Sequence, residues 1–232
     1  INLDLSNILA SSTCTFALPY LDTMVVHVLL PIMLLITIVL ARIPAYYLRQ
    51  ENRKPQTALM IKSAFSLALI LYPGLCTRLF SSLKSVTVYG LQNEKHSGIV
   101  LAVDYSIEAF QEIHMPYIYI TISCMLIYVL GIPIVVLMAL RSNRKHLYTE
   151  GTTVEHKLRH EDVVNEFGTL YLQYEPSYWY WETIVIFKKM LLTGAMTIIV
   201  PGSSAQLAIA ILIVLAYLFV VLKLAPFTDD AD

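Results

Sequence analysis

YEPSYWYWETIVIFKKMLLTGAMTIIVPGSSAQLAIAILIVLAYLFVVLKLAPF, Tyr174 to Phe227, decides the fold of this chain. It has an aromatic entry, an apolar run interrupted by Glu182, Lys188 and Lys189, a Pro201-Gly202 turn, and a second, nearly unbroken apolar run. Each run has ~20 residues, enough at ~1.5 Å per residue to cross ~30 Å of hydrocarbon. In water neither run could hide its apolar circumference, so the stretch reads as a transmembrane hairpin. Tyr178, Trp179, Tyr180 and Trp181 are expected at the headgroup level, where amphipathic rings are favoured, and Pro201-Gly202 makes the return on the opposite side. The competing reading, a helical hairpin inside a large soluble core, fails because apolar stretches of the same kind recur earlier in the chain.

Composition agrees. With 57% hydrophobic residues, 14% charged and a mean hydropathy of +0.64, the 232 residues suit one membrane bundle better than several soluble domains. A net charge of -1 gives no footprint for nucleic acid. The first apolar stretch lacks the basic region and small-residue cleavage site of a signal peptide. The chain starts at Ile1 without Met and reaches Asp229, Asp230 and Asp232 just after an apolar run, so it reads as part of a longer protein, with 228–232 the start of a continuation.

Taken outward from the hairpin, the pattern predicts an all-α polytopic membrane protein with five transmembrane helices and one extracellular β-hairpin. Residues 1–22 form a pre-helix with Ile1, Leu3, Leu5, Ile8 and Leu9 at the interface. The five-span domain covers 23–227, with spans at about 23–48, 56–83, 114–140, 177–200 and 203–224. Pro31 and Pro44 bend the first, Pro73-Gly74 the second, and Gly131-Ile132-Pro133 the third. Over 86–104 the period changes from helical to alternating, VTVYGL and IVLAVD around a QNEKHSG turn, which predicts an antiparallel hairpin. It must lie outside the hydrocarbon, because an open sheet edge facing lipid leaves backbone groups unpaired. Residues 141–176 are polar, of mixed charge and partly helical, on a membrane surface.

Basic residues set the orientation. Arg42, Arg49, Arg53, Lys54, Arg141, Arg144, Lys145, Lys157 and Arg159 fall on one side, against Arg78, Lys84 and Lys95 on the other. Positive residues stay inside, so Ile1 and the hairpin face outside and 141–176 is cytoplasmic.

Asp104-Tyr105-Ser106, LGIPIVVLMALRSNR (Leu130 to Arg144), YEPSYWYWETIVIFKKMLLTG (Tyr174 to Gly194) and PGSSAQLAIAILIV (Pro201 to Val214) together resemble a broad family of protist and algal membrane proteins. These carry a multi-span domain similar to the transient receptor potential and polycystin channels, usually C-terminal to a large cysteine-rich or EGF-like ectodomain. The resemblance covers nearly the whole chain. It implies a membrane fold of cation-channel ancestry in a plasma or ciliary membrane, working in cation transport or signalling. The expected partners are the bilayer, a large extracellular domain of the same chain or an extracellular assembly, and further copies in a homo-oligomer. No pore loop or pore-lining helix follows span five within these 232 residues; in the continuation, a pore loop and a further long helix favour transport and a short tail favours anchoring. The alternative is a membrane anchor that holds an extracellular assembly and conducts nothing.

Charges inside the spans are the first candidates for function. Glu182 and Lys62 fall at similar depth from the cytoplasmic side, close enough in depth to pair, and Lys188 and Lys189 lie deeper. With Lys62 and Glu182 they make an intramembrane charge network, a site for an ion or lipid headgroup, or a voltage sensor. The last wants basic residues at every third position, which two adjacent lysines do not supply. His27 and His114, near the outer ends of their spans, invite comparison with haem ligands, but one interfacial imidazole per helix is the simpler reading. His156 and His160 have the i, i+4 spacing of a metal pair without a third ligand, so a solvated face is preferred. Cys14 and Cys76 both fall toward the outside, where a disulfide between them is permitted, and Cys124 reads as a small core residue. No phosphate loop, nucleophile elbow, metalloprotease helix or glycosylation acceptor is present, so the sequence predicts no enzyme, no cofactor and no metal.

Overall fold

The structure, a computed structural model of the chain, describes residues 20–48, 53–89, 97–148, 153–199 and 203–228. The pre-helix up to residue 19, the hairpin turn at 90–96, the Pro201-Gly202 return and the stretch from 229 lie outside the described residues. In chain order come helix α1 (Tyr20–Leu48), helix α2 (Arg53–Ser81) and strands β1 (Ser85–Tyr89), β2 (Ser97–Leu101) and β3 (Asp104–Glu108). Helix α3 (Met115–Ser142), surface helix α4 (Val154–Tyr171), the helical residues 181–198 (α5) and helix α6 (Ser204–Leu224) follow. Single 3-10 turns at Arg144–His146 and Pro176–Tyr178 make the corners around α4.

Four described helices are long and apolar enough to cross a membrane: Tyr20–Ala41, Thr57–Ser81, Met115–Ser142 and Ser204–Leu224. The segment expected as the fourth of five spans is helical, but its 18 residues hold Glu182, Lys188 and Lys189. Length and composition do not by themselves make it a span.

Local sequence explains the ends. Pro116 starts α3 inside its first turn, where a missing N–H costs nothing. Ser203 Oγ accepts the backbone N–H of Gln206 at 3.1 Å and so caps α6. Helix α6 stops at Ala225, whose φ of 40° is left-handed, with Pro226 behind it. Helix α2 runs through Pro73 to Ser81, so the expected irregularity there is absorbed without ending the helix.

The chain divides into two compact units. The first contains 1–30, 71–131 and 189–211. Its core is Met24, Val28, Tyr72, Leu75, Cys76, Leu79, Val129 and Met196. It also holds the sheet, antiparallel in the order β1-β2-β3, with Thr87 opposite Ile99 and a bulge between Val100 and Leu101. The two-stranded hairpin expected over 86–104 is therefore a three-stranded sheet. Ala102 and Val103 form a second tight turn, and the Asp104 carboxylate accepts both the backbone N–H and the hydroxyl of Ser106, at 3.0 and 2.6 Å, at the start of β3.

The second unit contains 31–70, 132–188 and 212–232. Its core is Val136, Leu140, Leu147, Val163, Leu170, Tyr171, Tyr174, Trp181 and Ile186. Helix α4 packs onto α2 through Phe167 against Phe65, edge-on at 5.6 Å. The chain after α6 pairs with the loop before α5: Glu175 N–H donates to the Pro226 carbonyl at 2.9 Å and Thr228 N–H to the Gln173 carbonyl at 3.2 Å. Tyr174 and Phe227 face each other across this short bridge.

Candidate functional site: a buried carboxyl and two π-helical turns

Glu182 stands in the first turn of α5, where the free N–H groups of a helix favour a negative group. It is 5% exposed. Such a group needs partners, and two come from the preceding loop: Tyr174 donates its hydroxyl to Oε2 at 2.7 Å and Gln173 donates Nε2–H to the same oxygen at 3.2 Å. Gln173 also donates to the Tyr174 hydroxyl at 2.8 Å, closing a three-membered network. Six residues on, Lys188 places Nζ 3.6 Å from the ring centroid of Tyr217 on α6, a cation–π contact. Tyr217 also packs on Trp181, which is fully buried. The result is a carboxyl and an ammonium sheltered by aromatic rings.

The expected network is thus assembled with different members. Lys62 is exposed on α2 and makes no ion pair with Glu182 among the described residues. Equal depth along two helices says nothing about which faces meet, and the loop residues Gln173 and Tyr174 fill the position instead. Lys189 is half-buried and turned to the next face of the helix. The expected interface aromatics differ in exposure within the chain. Tyr178 and Tyr180 keep partial exposure, but Trp179 and Trp181 are buried, Trp179 beneath the Arg144 guanidinium at 5.5 Å and Trp181 against Tyr178 and Tyr217. The turn Pro176–Tyr178 rotates the indoles inward, where they pack as core.

A second feature lies in the first unit. Helix α3 contains a π-helical turn over Met125–Leu130 and α5 another over Leu191–Ala195. Wide turns of this kind free backbone carbonyls and are common at functional sites. Helix α2 supplies a donor to each: the Tyr72 hydroxyl reaches the Val129 carbonyl at 2.9 Å, and the Thr77 hydroxyl reaches the Thr193 carbonyl at 3.3 Å as well as its own Pro73 carbonyl at 3.0 Å. Pro133 gives the physical reason in α3, because it has no N–H to return to Val129 four residues before it. The bend expected at Gly131-Ile132-Pro133 is realised one turn earlier as this π-helical turn. Gly194 lets α2 approach closely: a Cβ there would stand 2.5 Å from Cδ2 of Phe80 and 3.1 Å from Cβ of Cys76. Cys76 is 0% exposed at this contact, and Cys14, its expected disulfide partner, lies outside the described residues.

The histidines serve local structure. His27 donates Nδ1–H to the Thr23 carbonyl at 2.7 Å. His114 is buried, accepts the Phe110 N–H on Nδ1 at 3.1 Å and donates Nε2–H to the Ser82 carbonyl at 3.3 Å, so neither nitrogen is left for haem iron. His160 donates Nδ1–H to the His146 carbonyl at 2.6 Å, pinning the 3-10 turn to α4, while the His146 and His156 rings touch at a tilt of 45° with centroids 4.3 Å apart. They line an open cleft of about 570 Å³ with Glu155, Arg159 and Asp162. No group of three metal-ligating side chains forms among the described residues.

Burial, then the neighbouring His156, Arg159, Lys145 and His160, push the His146 imidazole below its ordinary value of 6.5. The folded chain therefore resists a proton that the unfolded chain accepts, and the contribution of neutral His146, complete above pH 6.5, is lost as pH falls toward the depressed folded value. Hydrogen exchange, corrected for its intrinsic pH dependence, is expected to show Val154 to His160 losing protection on acidification from neutrality to below that value. His146→Gln removes the titrating ring and should abolish the loss; an unchanged loss in that variant would exclude His146 as its origin. Tyr148, whose hydroxyl donates to the carbonyls of Tyr171 and Tyr174 at 3.0 Å, is pushed by burial up to about 12 and stays neutral throughout.

Sequence reasoning passed over Gln173, Tyr174, Tyr217, Tyr72 and Thr77 as site residues. The one signal that pointed to any of them is Pro133, which announces an unpaired carbonyl at Val129.

Comparison with known proteins gives one match. A family model described as transient receptor potential (TRP) ion channel matches residues 4–232. No curated protein and no solved structure matches the chain. Four helices of spanning length and a family match over almost every residue lead to one conclusion: the chain is a membrane protein belonging to the transient receptor potential ion channel family.

Proposed function

We propose that residues 1–232 form a five-span bundle of a protein working in cation transport or signalling, and that the bundle stands beside the permeation path without lining it. The observation that carries this reading is the enclosure of Glu182 and Lys188. Charge inside a membrane is expensive and is retained where protein surrounds it, so a helix that houses Glu182 against Tyr174 and Lys188 against Tyr217 suits a span facing its own bundle. Residues 181–198 are then the fourth of five spans. Helix α6 supports the same reading: Tyr217 is its only polar residue between Leu207 and Val221, and that ring is taken up by Trp181 and Lys188.

In a bilayer, residues 1–232 alone are expected to carry no current above background under voltage or added calcium. A reproducible, ion-selective current altered by replacing Lys188 or Lys189 would move the permeation path into the bundle. In the full-length protein, a cation current changed by Glu182→Gln supports transport. A full-length protein that reaches the cell surface and stays silent supports the anchoring role for an extracellular assembly.

The orientation belongs to the same proposal: Ile1 and the sheet outside, 141–176 in the cytoplasm, the whole in a plasma or ciliary membrane with an extracellular domain or assembly as partner and further copies as neighbours. A cysteine in the Gln92 to Gly98 turn is expected to react with an impermeant reagent on intact cells, and one at Glu150 is not. The reverse pattern would refute the orientation.

A further inference from the structure

Between β3 and α3 the chain makes a tight turn whose chemistry does not suit water. Phe110 has a φ of 63°, the left-handed region that glycine or asparagine fills at little cost and that strains a bulky side chain. Strain of this kind persists only where the surroundings impose it. Here they do. Ala109 N–H donates to the Ile99 carbonyl at 2.8 Å, and the His114 and Met115 N–H groups both donate to the Gln111 carbonyl, at 2.9 and 3.0 Å. The buried His114 ring ties the turn to the end of α2, accepting from Phe110 N–H and donating to Ser82. What this rigid mount displays is apolar: Phe110 is 56% exposed and Ile113 76%.

Helix α3 begins at Met115, two residues after Ile113. Its 28 residues extend ~42 Å at ~1.5 Å per residue, against ~30 Å of hydrocarbon, so an end that overshoots evenly rises only several ångströms above the acyl chains. That is the headgroup layer, where an aromatic ring and an aliphatic side chain gain by partial insertion. The charges on β3 and the turn, Asp104, Glu108 and Glu112, are acidic and outnumber Lys84 beyond the end of α2, so their balance does not favour attraction to anionic lipid. We propose that Phe110 and Ile113 form a membrane-interface anchor, a preformed apolar tip that inserts among zwitterionic headgroups and fixes the depth at which α3 and the sheet sit. This rests on α3 spanning the bilayer, and not on whether the protein conducts.

The test uses the full-length protein in lipid nanodiscs, with single substitutions Phe110→Trp and Ile113→Trp and, as reference, Thr87→Trp on the exposed surface of β1. Fluorescence is read after subtracting the signal of the unsubstituted protein, which includes Trp179 and Trp181. Lipids brominated near the headgroup are expected to quench both turn variants severalfold more than Thr87→Trp, equally in zwitterionic and partly anionic discs, while aqueous iodide quenches only the reference. If Phe110→Trp does not fold, Ile113→Trp carries the measurement, because its side chain is almost free of contacts. Iodide quenching of the turn variants equal to that of Thr87→Trp would overturn the proposal. So would protection from both quenchers, which would mean that a protein surface covers the turn.

Discussion

Glu182→Ala is expected to lower the stability of the folded domain by about 1–3 kcal/mol, because it leaves the buried Tyr174 hydroxyl without the carboxylate that accepts it. The exposed Gln173 amide loses the same oxygen but keeps its bond to the Tyr174 hydroxyl. Tyr174→Phe removes one hydrogen bond to this carboxyl and is expected to cost about 1.5–3 kcal/mol. The two together should cost less than their sum, since the second change removes a partner the first has already lost. Equilibrium unfolding in detergent or bicelles measures all three, and strictly additive losses would show that Tyr174 and Glu182 do not act on each other. Lys62→Leu separates this arrangement from the simpler ion pair. Its side chain is exposed and unpaired with Glu182, so the change should be close to neutral, and a loss as large as that of Glu182→Ala would restore Lys62 as the partner.

Gly194→Ala is the second large effect. The added methyl would overlap Cδ2 and Cε2 of Phe80, at 2.5 and 2.6 Å, and crowd Cβ of Cys76. Overpacking at such a contact typically costs about 1–3 kcal/mol. It would also push α2 away from the π-helical turn of α5 and so stretch the hydrogen bond from Thr77 to the Thr193 carbonyl, now 3.3 Å. The cause is the Phe80 ring, so shortening that side chain should relieve it: in a Phe80→Leu background Gly194→Ala is expected to be nearly neutral, or mildly stabilising given the ~1 kcal/mol helix advantage of alanine over glycine. An equal loss in both backgrounds would place the strain in the backbone and not in the ring.

These two sites differ in how far they could be read beforehand. Glu182 stood out as a charge inside an apolar run, and that it matters follows from the cost of burying charge. Its partners did not follow. Tyr174 and Gln173 lie in a loop whose path around Pro176–Tyr178 decides what they reach, and equal depth points to Lys62 only because helical rise sets depth but not facing. Gly194 sits in a run that reads as ordinary helix, and nothing in one-dimensional sequence shows that Phe80, more than a hundred positions earlier, fills the space above it.

The sequence by itself determined the class of the protein and the limits of its elements. Apolar runs of ~20 residues can satisfy their backbone in hydrocarbon only as helices, which placed Tyr20–Leu48, Arg53–Ser81, Met115–Ser142 and Ser204–Leu224 to within a few residues. Alternation with period two placed β1 and β2, and four quoted blocks carried the family resemblance that the match over residues 4–232 establishes. Tertiary structure alone decided which faces meet. It turned Trp179 and Trp181 inward, replaced Lys62 by Tyr174 and Gln173, and set Lys188 on Tyr217. It also moved the expected proline bend into a π-helical turn whose free carbonyl takes a hydroxyl from α2. The reason is physical: periodicity and hydropathy are set by each segment's own solvent, whereas rotation about a helix axis is set by packing against neighbours far away in sequence.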